Sequence, residues 1–446
     1  MRTALLVLLA TAAMARAEPS LKDGDRVVFY GDIGARSSAV AERVESFFAL
    51  RYPRRAVSMR HFEIRRTSSV QDATPDFTDL LSWNEPKIVV LALGPAVISE
   101  EKLPDDATLA TFEKDVAVML SRAAAVRAKV LIVTPTGPFL PSYTEAAQLS
   151  AVAAAAKKQK QPAAMDLNKV LTFPYGASTA DEAGRLLDQA IAKMAECLRR
   201  VAKSNDADVI DAHTAMKRFC ETHADRIRTY PVQGKDPRES AVRREALVNA
   251  LAVNLTAGML LEGFGAEPLD VRIRFEWNSG SAESSAGTAE LIRVSDDTRR
   301  IVLKSLPITW DLGERGPAWW DLNPAGRYCH MILQVGGLPA GAATISDGTM
   351  NTLSVSAAEL GQGFNLACAG PLPTSQAAAQ LANALSRVTR AAGHVAAYRK
   401  EVIEEPEFAE PHKATLHATE MWLDAYERVL ARTPRTLDIA LDVTVK

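Results

Sequence analysis

The chain has 446 residues, of which 47% are hydrophobic and 24% are charged, a composition typical of a globular protein large enough for two domains. Its net charge is -2, its pI is about 6.4 and it contains no long basic run, so the sequence predicts no nucleic-acid partner.

The first 17 residues have the pattern of a secretory signal. Arg2 precedes an apolar segment at 4–13, and Ala15-Arg16-Ala17 supplies the small residues that signal peptidase requires. The apolar segment is well short of the roughly 20 residues that span a bilayer, which disfavours an uncleaved anchor. We therefore expect residues 1–17 to be a signal peptide that is removed. The mature protein would then be periplasmic or extracellular, with no membrane span.

Residues 21–265 alternate between strand and helix patterns. The stretch 23–34 combines an apolar run with Gly31 and Gly34, which predicts a buried strand, a tight turn and the start of a helix. Further predicted elements are strands at 56–64, 86–94, 128–135 and 207–211, and helices at 38–50, 105–126, 180–203 and 238–263. This alternation predicts an α/β domain with a doubly wound parallel sheet of about five strands. The ligand site of such a three-layer sandwich lies beyond the carboxyl ends of the strands.

Two later regions depart from this alternation. Residues 138–206 are too long for one crossover, and we expect a helical insertion that either roofs the pocket or forms a solvated hairpin without function. After Pro268, period-two alternation predicts a small β-rich domain over 268–370. Residues 374–446 are predicted as a helical tail that ends in an edge strand.

The four cysteines allow three pairings in an oxidising compartment. Disulfides Cys197–Cys220 and Cys329–Cys368 would each stay within one predicted domain. The alternative, four buried thiols in a chain large enough to need no cross-links, stays equally open.

Short sequence motifs within residues 21–265 resemble the motif blocks of the exported bacterial SGNH/GDSL hydrolases. Members of that family often open with Asp-Gly-Asp-Arg-Val-Val-Phe and continue to Gly-Asp-Ser, in which the serine is the nucleophile, whereas this chain has Ile33 at the serine position. The resemblance implies an SGNH/flavodoxin-like sandwich. Segments at 335–341, 345–348 and 356–367 are similar to the β-domain appended to some members, which extends the likeness toward the C-terminus.

The other catalytic blocks are also changed. The asparagine that donates to the oxyanion in the family falls on Ala96, and residues 64–69 contain no glycine for the second oxyanion block. The general base falls on Asp236, before Pro237. The positions that match the family's motifs, and that we expect to line the pocket, are Gly31, Asp32, Ile33, Gly94, Ala96 and Asp236.

These changes predict a degenerate active site, because the loss of one oxyanion donor alone costs about 100- to 1000-fold in rate. We therefore expect a non-hydrolytic protein that binds a carbohydrate or cell-wall ligand or has a structural role. One alternative is an ester hydrolase with relocated residues, for which Ser37, Ser38, Asp211 and His213 are the candidates. Another is a scaffold that holds a protein partner through its C-terminal region.

Other chemistries receive weaker support from the sequence. The seven histidines are scattered, so no metal site and no cofactor are predicted. Asp32 and Asp236 could do acid–base work on a sugar, although pocket aspartates often only accept backbone hydrogen bonds. The pair Trp319-Trp320 fits either a sugar platform or, in our preferred interpretation, a packed loop anchor.

Overall fold

The structure is a computed structural model that describes residues 21–31, 37–52, 57–62, 70–94, 103–137, 180–230, 237–308, 310, 322–348, 352–368, 373–404, 407, 409–434 and 436–445. The predicted signal peptide lies outside these residues, so export stays a prediction.

A five-stranded parallel sheet forms the centre of the N-terminal domain. Its strands, in the spatial order β2-β1-β3-β4-β5, are β1 (Arg26–Gly31), β2 (Ser58–Phe62), β3 (Ile88–Ala92), β4 (Lys129–Val133) and β5 (Asp208–Ile210). All five residues of β3 are buried, as a central strand covered on both faces requires. The predicted parallel sheet of about five strands is confirmed.

Helices cover both faces of this sheet. They are α1 (Ser37–Arg51), α2 (Val70–Asn84), α3 (Asp106–Ala125), α4 (Ala180–Ser204), α5 (Ala212–Thr222), α6 (Ala224–Thr229) and α7 (Pro237–Gly263). Successive residues of β1 point to opposite faces, so Phe29 packs in the core with α1 and α7, while Tyr30 packs in the core with α2, α3 and α4. The three-layer sandwich is therefore confirmed.

Part of the predicted insertion is a core element. Residues 138–179 lie outside the described residues, but α4 packs against α3 and buries Leu198 and Ala202 completely. This helix leads directly to β5. It is the crossover helix of the sheet, and the expectation of a solvated hairpin is wrong for this half of the segment.

The predicted disulfides are wrong, and the buried-thiol alternative is confirmed for three of the four cysteines. Cys197, Cys220 and Cys329 are buried thiols. Cys197 lies in the core between α4 and the sheet, whereas Cys220 lies in a separate cluster between α5 and α7. The Cys329 Sγ donates a hydrogen bond to the Trp310 carbonyl oxygen at 3.1 Å. Because Cys197 and Cys220 are buried in separate packed clusters, they do not form a disulfide.

The C-terminal region contains a β-sandwich. One sheet has the order β13-β10-β6-β7 and the other β12-β11-β14-β9-β8. The strands are β6 (Asp270–Glu276), β7 (Ala282–Ser284), β8 (Thr288–Arg293), β9 (Thr298–Pro307), β10 (His330–Gly336), β11 (Ala342–Ser346), β12 (Thr352–Ser356), β13 (Phe364–Asn365) and β14 (Thr436–Val445). Helix α8 (Ala357–Gln362) lies between β12 and β13. Residues of β6 alternate between exposed and buried, and the buried ones join Leu303 and Leu441 of the other sheet in one core.

The terminal strand β14 is central. It pairs with β9 on one side and with β11 on the other, both antiparallel, so the prediction of an edge strand is wrong. Leu441 and Val443 have no exposed surface and lie in the sandwich core. The sandwich therefore needs residues that follow the helical segment as well as those of 268–370.

The helical segment folds back on the N-terminal domain. It consists of α9 (Pro373–Glu404) and α10 (Ala409–Arg432), which pack against each other. Helix α9 contacts α1 and the edge strand β2, and Leu381 and Leu385 are buried in the core on that side. Arg60 of β2 forms an ion pair with Glu427 of α10 at 2.8 Å. The hairpin thus covers the β2 edge of the parallel sheet and is not a detached tail.

One described helical stretch, Ala246–Gly263 in α7, has the length and the apolar composition of a membrane span, with a mean hydropathy of 1.4. Leu251, Leu260 and Leu261 in this stretch are completely buried in the protein core. A core helix passes the same test, so the stretch is explained by its packing.

Candidate functional site

Strands β1 and β3 end side by side at the predicted site. Gly31 is the last residue of β1 and pairs with Ala92, the last residue of β3. Gly31 has a φ of +118°, and a Cβ on it would lie 1.8 Å from the Ala92 carbonyl oxygen. Only glycine allows this approach and this backbone conformation. Asp32 and Ile33 continue the chain from this point.

The segment that follows β3 also begins in close contact with a neighbouring segment. Gly94 lies two residues beyond β3, and a Cβ on it would lie 2.4 Å from Cβ of Pro135, which follows β4. The structure therefore places Gly31 and Gly94 at the carboxyl edge of neighbouring strands, as the sequence predicts. Four other predicted site residues, Asp32, Ile33, Ala96 and Asp236, lie outside the described residues, as do Trp319 and Trp320. Their roles stay predictions.

The candidates for a relocated triad form a structural cluster at the ends of β4 and β5. Asp211 caps helix α5 by accepting a hydrogen bond from the Thr214 backbone N–H. Arg199 of α4 donates two hydrogen bonds to the same carboxylate, at 3.0 and 3.1 Å. Burial raises the pKa of Asp211, but these hydrogen bonds outweigh it and hold the pKa below its usual value. The carboxylate therefore serves as a helix cap and an ion-pair partner.

His213 belongs to the same cluster through its backbone. Its N–H donates to Thr134 Oγ1 at 2.9 Å, and the Thr134 hydroxyl donates to Asp211 Oδ1 at 3.1 Å. The residue is 5% exposed, and burial lowers the pKa of its imidazole, although Asp188 acts in the opposite direction. The other serine candidates, Ser37 and Ser38, begin α1. The contacts of the Asp211 carboxylate and of the His213 backbone N–H tie α5 to the sheet.

A cavity of about 510 Å³ opens beside this edge, where the helical hairpin crosses the end of β2. Its described lining comes from the ends of β1 and β2, from α1, from α2 (the α2 wall) and from α9 (the α9 wall). The described lining residues are Tyr30, Glu42, His61, Phe62, Asp76, Asp79, Leu80, Trp83, Ser386, Arg390, Gly393, His394, Ala396 and Ala397.

Two polar groups in the cavity, Tyr30 and Glu42, have raised pKa values. The Tyr30 hydroxyl donates to the Ala73 carbonyl oxygen at 2.8 Å, and burial together with the charge of Asp76 raises the pKa of Tyr30. Burial also raises the pKa of Glu42, although its hydrogen bond from Ser386, at 3.5 Å, and the nearby Arg390 act in the opposite direction. Shifted groups gathered in a concave site are typical of ligand sites.

The sequence does not predict this cavity. The signal within reach was the spacing of Asp76, Asp79 and Trp83, which places two carboxylates and an indole on one face of α2. The α9 wall lies about 310 residues later in the sequence. No local sequence pattern predicts that α9 lines the same cavity as α2. Among the described residues, no group of three or more His, Cys, Asp or Glu side chains forms a site for a metal ion.

No protein-family model matches the chain, and no curated protein matches it. Among solved structures, a gut microbial diltiazem-metabolizing enzyme is similar over 97% of this chain and 99% of its own, with 14% sequence identity and a TM-score of 0.62. The chain therefore has the fold of that enzyme. Two structures with shorter matches are a catalytic mutant of an acetylxylan esterase from Geobacillus stearothermophilus and a GDSL-like lipase from Bacteroides thetaiotaomicron. The esterase is 13% identical and covers 56% of this chain and 97% of its own, with a TM-score of 0.33. The lipase is 14% identical and covers 55% and 94%, with a TM-score of 0.27.

The likeness to the diltiazem-metabolizing enzyme extends along almost the whole of both chains. The parallel-sheet domain, the β-sandwich and the helical hairpin are therefore parts of one shared architecture. At 14% identity, this likeness concerns the fold alone.

Proposed function

We propose that this SGNH-like protein does not hydrolyse esters by a serine mechanism, and that it is an exported protein with a carbohydrate or cell-wall ligand. One observation carries the first part. Strand β1 ends at Gly31, against Ala92, and the residue two positions later is Ile33, at the family's serine position. An isoleucine side chain has no lone pair and no proton to transfer, so it cannot attack a carbonyl carbon.

The other changed positions support the same proposal. Ala96 has no side-chain donor for an oxyanion, and Asp236 in place of histidine is a much weaker base at neutral pH. The relocated candidate Asp211 is engaged as the cap of α5 and as the ion-pair partner of Arg199. The ligand class rests only on the likeness to carbohydrate esterases.

The alternative is a working ester hydrolase with relocated residues. The observation that favours it is the similarity along nearly the full chain to a protein described as an enzyme that metabolizes diltiazem. That similarity leaves the residues of any such site unassigned in this chain.

Turnover of an acetylated chromogenic ester and labelling by a fluorophosphonate probe decide between these alternatives. The unmodified protein is expected to show neither activity. The single variant Ile33→Ser is expected to stay near background, because it lacks the base and the oxyanion donors. The triple variant Ile33→Ser, Ala96→Asn and Asp236→His is expected to exceed it and serves as the positive control. Stoichiometric labelling of the unmodified protein, lost on Ser37→Ala or Ser38→Ala, would establish the hydrolase.

The ligand class has a separate test. Calorimetric titration with xylo-oligosaccharides and with soluble peptidoglycan fragments is expected to give saturable binding to one of the two. A protein that binds neither carries no carbohydrate site, whatever its ester chemistry.

A further inference from the structure

We propose that the cavity between α2 and α9 binds a small zwitterion of the dipeptide class, with the ligand's ammonium group at α2 and its carboxylate at α9. The inference goes beyond the proposed function and does not depend on the state of the ester site. It rests on how the charged groups are divided between the two walls.

The α2 wall suits an ammonium group. Asp76, Asp79 and Trp83 are spaced three and four residues apart, so their side chains share one face of the helix. The two carboxylates accept hydrogen bonds from a cation, and an indole ring attracts a cation through its π face. Asp79 is exposed and Trp83 is half-buried, so both are reachable by a ligand that enters the cavity.

The α9 wall suits a carboxylate. Arg390 and His394 are one helical turn apart on α9, and Arg390 is exposed. A guanidinium group binds a carboxylate through two parallel hydrogen bonds. Glu42 lies near Arg390; burial raises the pKa of Glu42, and Arg390 acts in the opposite direction.

The charges that line the cavity favour a zwitterion over a simple anion or a simple cation. An anion alone would meet the carboxylates of Glu42, Asp76 and Asp79 with one arginine to oppose them. A simple cation would leave Arg390 without a function in binding. A molecule with both charges satisfies both walls at once.

The space between the walls has the required size. The volume of about 510 Å³ lies within the roughly 300–1,000 Å³ range of small-molecule sites. At Gly393 on the α9 wall, a Cβ would meet no atom within 4 Å, so the cavity is open there. Phe62 and Leu80 supply apolar surface for a ligand side chain.

Calorimetric titration of the full chain tests the proposal with three probes: alanyl-phenylalanine, its N-acetylated form and its C-terminal amide. The free dipeptide is expected to bind, and each blocked form is expected to bind about fivefold more weakly, as an accessible ion pair predicts. Asp79→Asn should weaken the free dipeptide and the amide but not the acetylated form. Arg390→Gln should weaken the free dipeptide and the acetylated form but not the amide.

Two further variants separate binding from folding. Gly393→Leu fills the cavity and also raises helix propensity, so it should abolish binding of all three probes without loss of stability. Arg387→Gln is the matched control, because Arg387 lies on α9 outside the cavity lining, and it should change nothing. The proposal is overturned if the free dipeptide does not bind at millimolar concentration, if blocked and free forms bind equally, or if cellobiose binds in their place. Retained binding in Gly393→Leu would also overturn it. None of these measurements involves ester turnover.

Discussion

Trp310 donates a hydrogen bond from its indole Nε1 to Ser46 Oγ at 2.9 Å, and this bond joins the β-sandwich to the parallel-sheet domain. Ser46 lies on α1, while Trp310 follows β9 and is 2% exposed. The rings of Phe47 and Tyr328 meet the indole edge-on, with centroid distances of 5.3 and 6.3 Å. A buried indole N–H without an acceptor is costly, so the bond selects one docked arrangement of the two domains.

We therefore expect Ser46→Ala to lower the free energy of unfolding by about 1–3 kcal/mol, because it leaves the buried indole N–H unsatisfied. Trp310→Phe removes the donor, so the two changes together should cost less than the sum of each alone. Urea denaturation of the four proteins in this cycle measures the coupling. Ser82→Ala on the exposed face of α2 is the control and should stay within about 0.5 kcal/mol of the unmodified protein. Equal stability of the two serine variants would contradict the role of the bond.

The close approach of β1 and β3 predicts a large difference between two glycines with positive φ. Gly31→Ala would place a Cβ 1.8 Å from a backbone oxygen, so we expect loss of folded protein. Gly24 has a φ of +79° but no atom within 4 Å of the added Cβ, so Gly24→Ala should cost only about 1 kcal/mol. Soluble yield and urea denaturation compare the two variants. Similar stabilities would show that β1 and β3 do not approach as described.

The parallel sheet could be predicted because its strands carry local signals. The apolar runs in β1, β3 and β4 end at glycine or proline, and each appears as a strand where the pattern placed it. The placement of Gly31 and Gly94 at one edge followed from the order of the strands, since carboxyl ends of parallel strands meet there.

Features that depend on contacts between distant segments could not be predicted from the sequence. The alternation in β14 identifies a strand but not its neighbours, and its pairing of Leu441 with Ile301 joins residues far apart in sequence. The helical period of α9 likewise identifies a helix without saying that it crosses the edge of β2 and walls the cavity with Arg390. Cysteine spacing could not decide the disulfides, because Cys197 and Cys220 are directed into different packed clusters.

Burial of His213 predicts a pH-dependent stability. Since burial lowers the pKa of this imidazole in the folded state, the unfolded chain takes up a proton as the pH falls below about 6.5 while the folded chain resists it. Stability from the neutral imidazole is therefore present above this pH and is lost below it. We expect the unmodified protein to lose more stability between about pH 7 and pH 5 than His213→Gln does. Urea denaturation at each pH measures the difference. His417→Gln, at an exposed position on α10, should behave like the unmodified protein; equal slopes for all three would contradict the prediction.

The central position of β14 makes the sandwich depend on residues at the end of the chain. Leu441 is completely buried between the two sheets, in a strand hydrogen-bonded to β9 and β11. We expect Leu441→Ala to lower the free energy of unfolding by about 2–5 kcal/mol, through lost apolar burial and the cavity that it leaves. Val429→Ala removes apolar atoms from a side chain on α10 that is 58% exposed, and it should cost less than about 0.5 kcal/mol. Removal of residues 434–446 should have a larger effect still, because it leaves β9 and β11 without their shared neighbour. Urea denaturation measures both substitutions, and soluble yield with circular dichroism measures the truncation. A truncated protein with unchanged stability would place β14 outside the sandwich core.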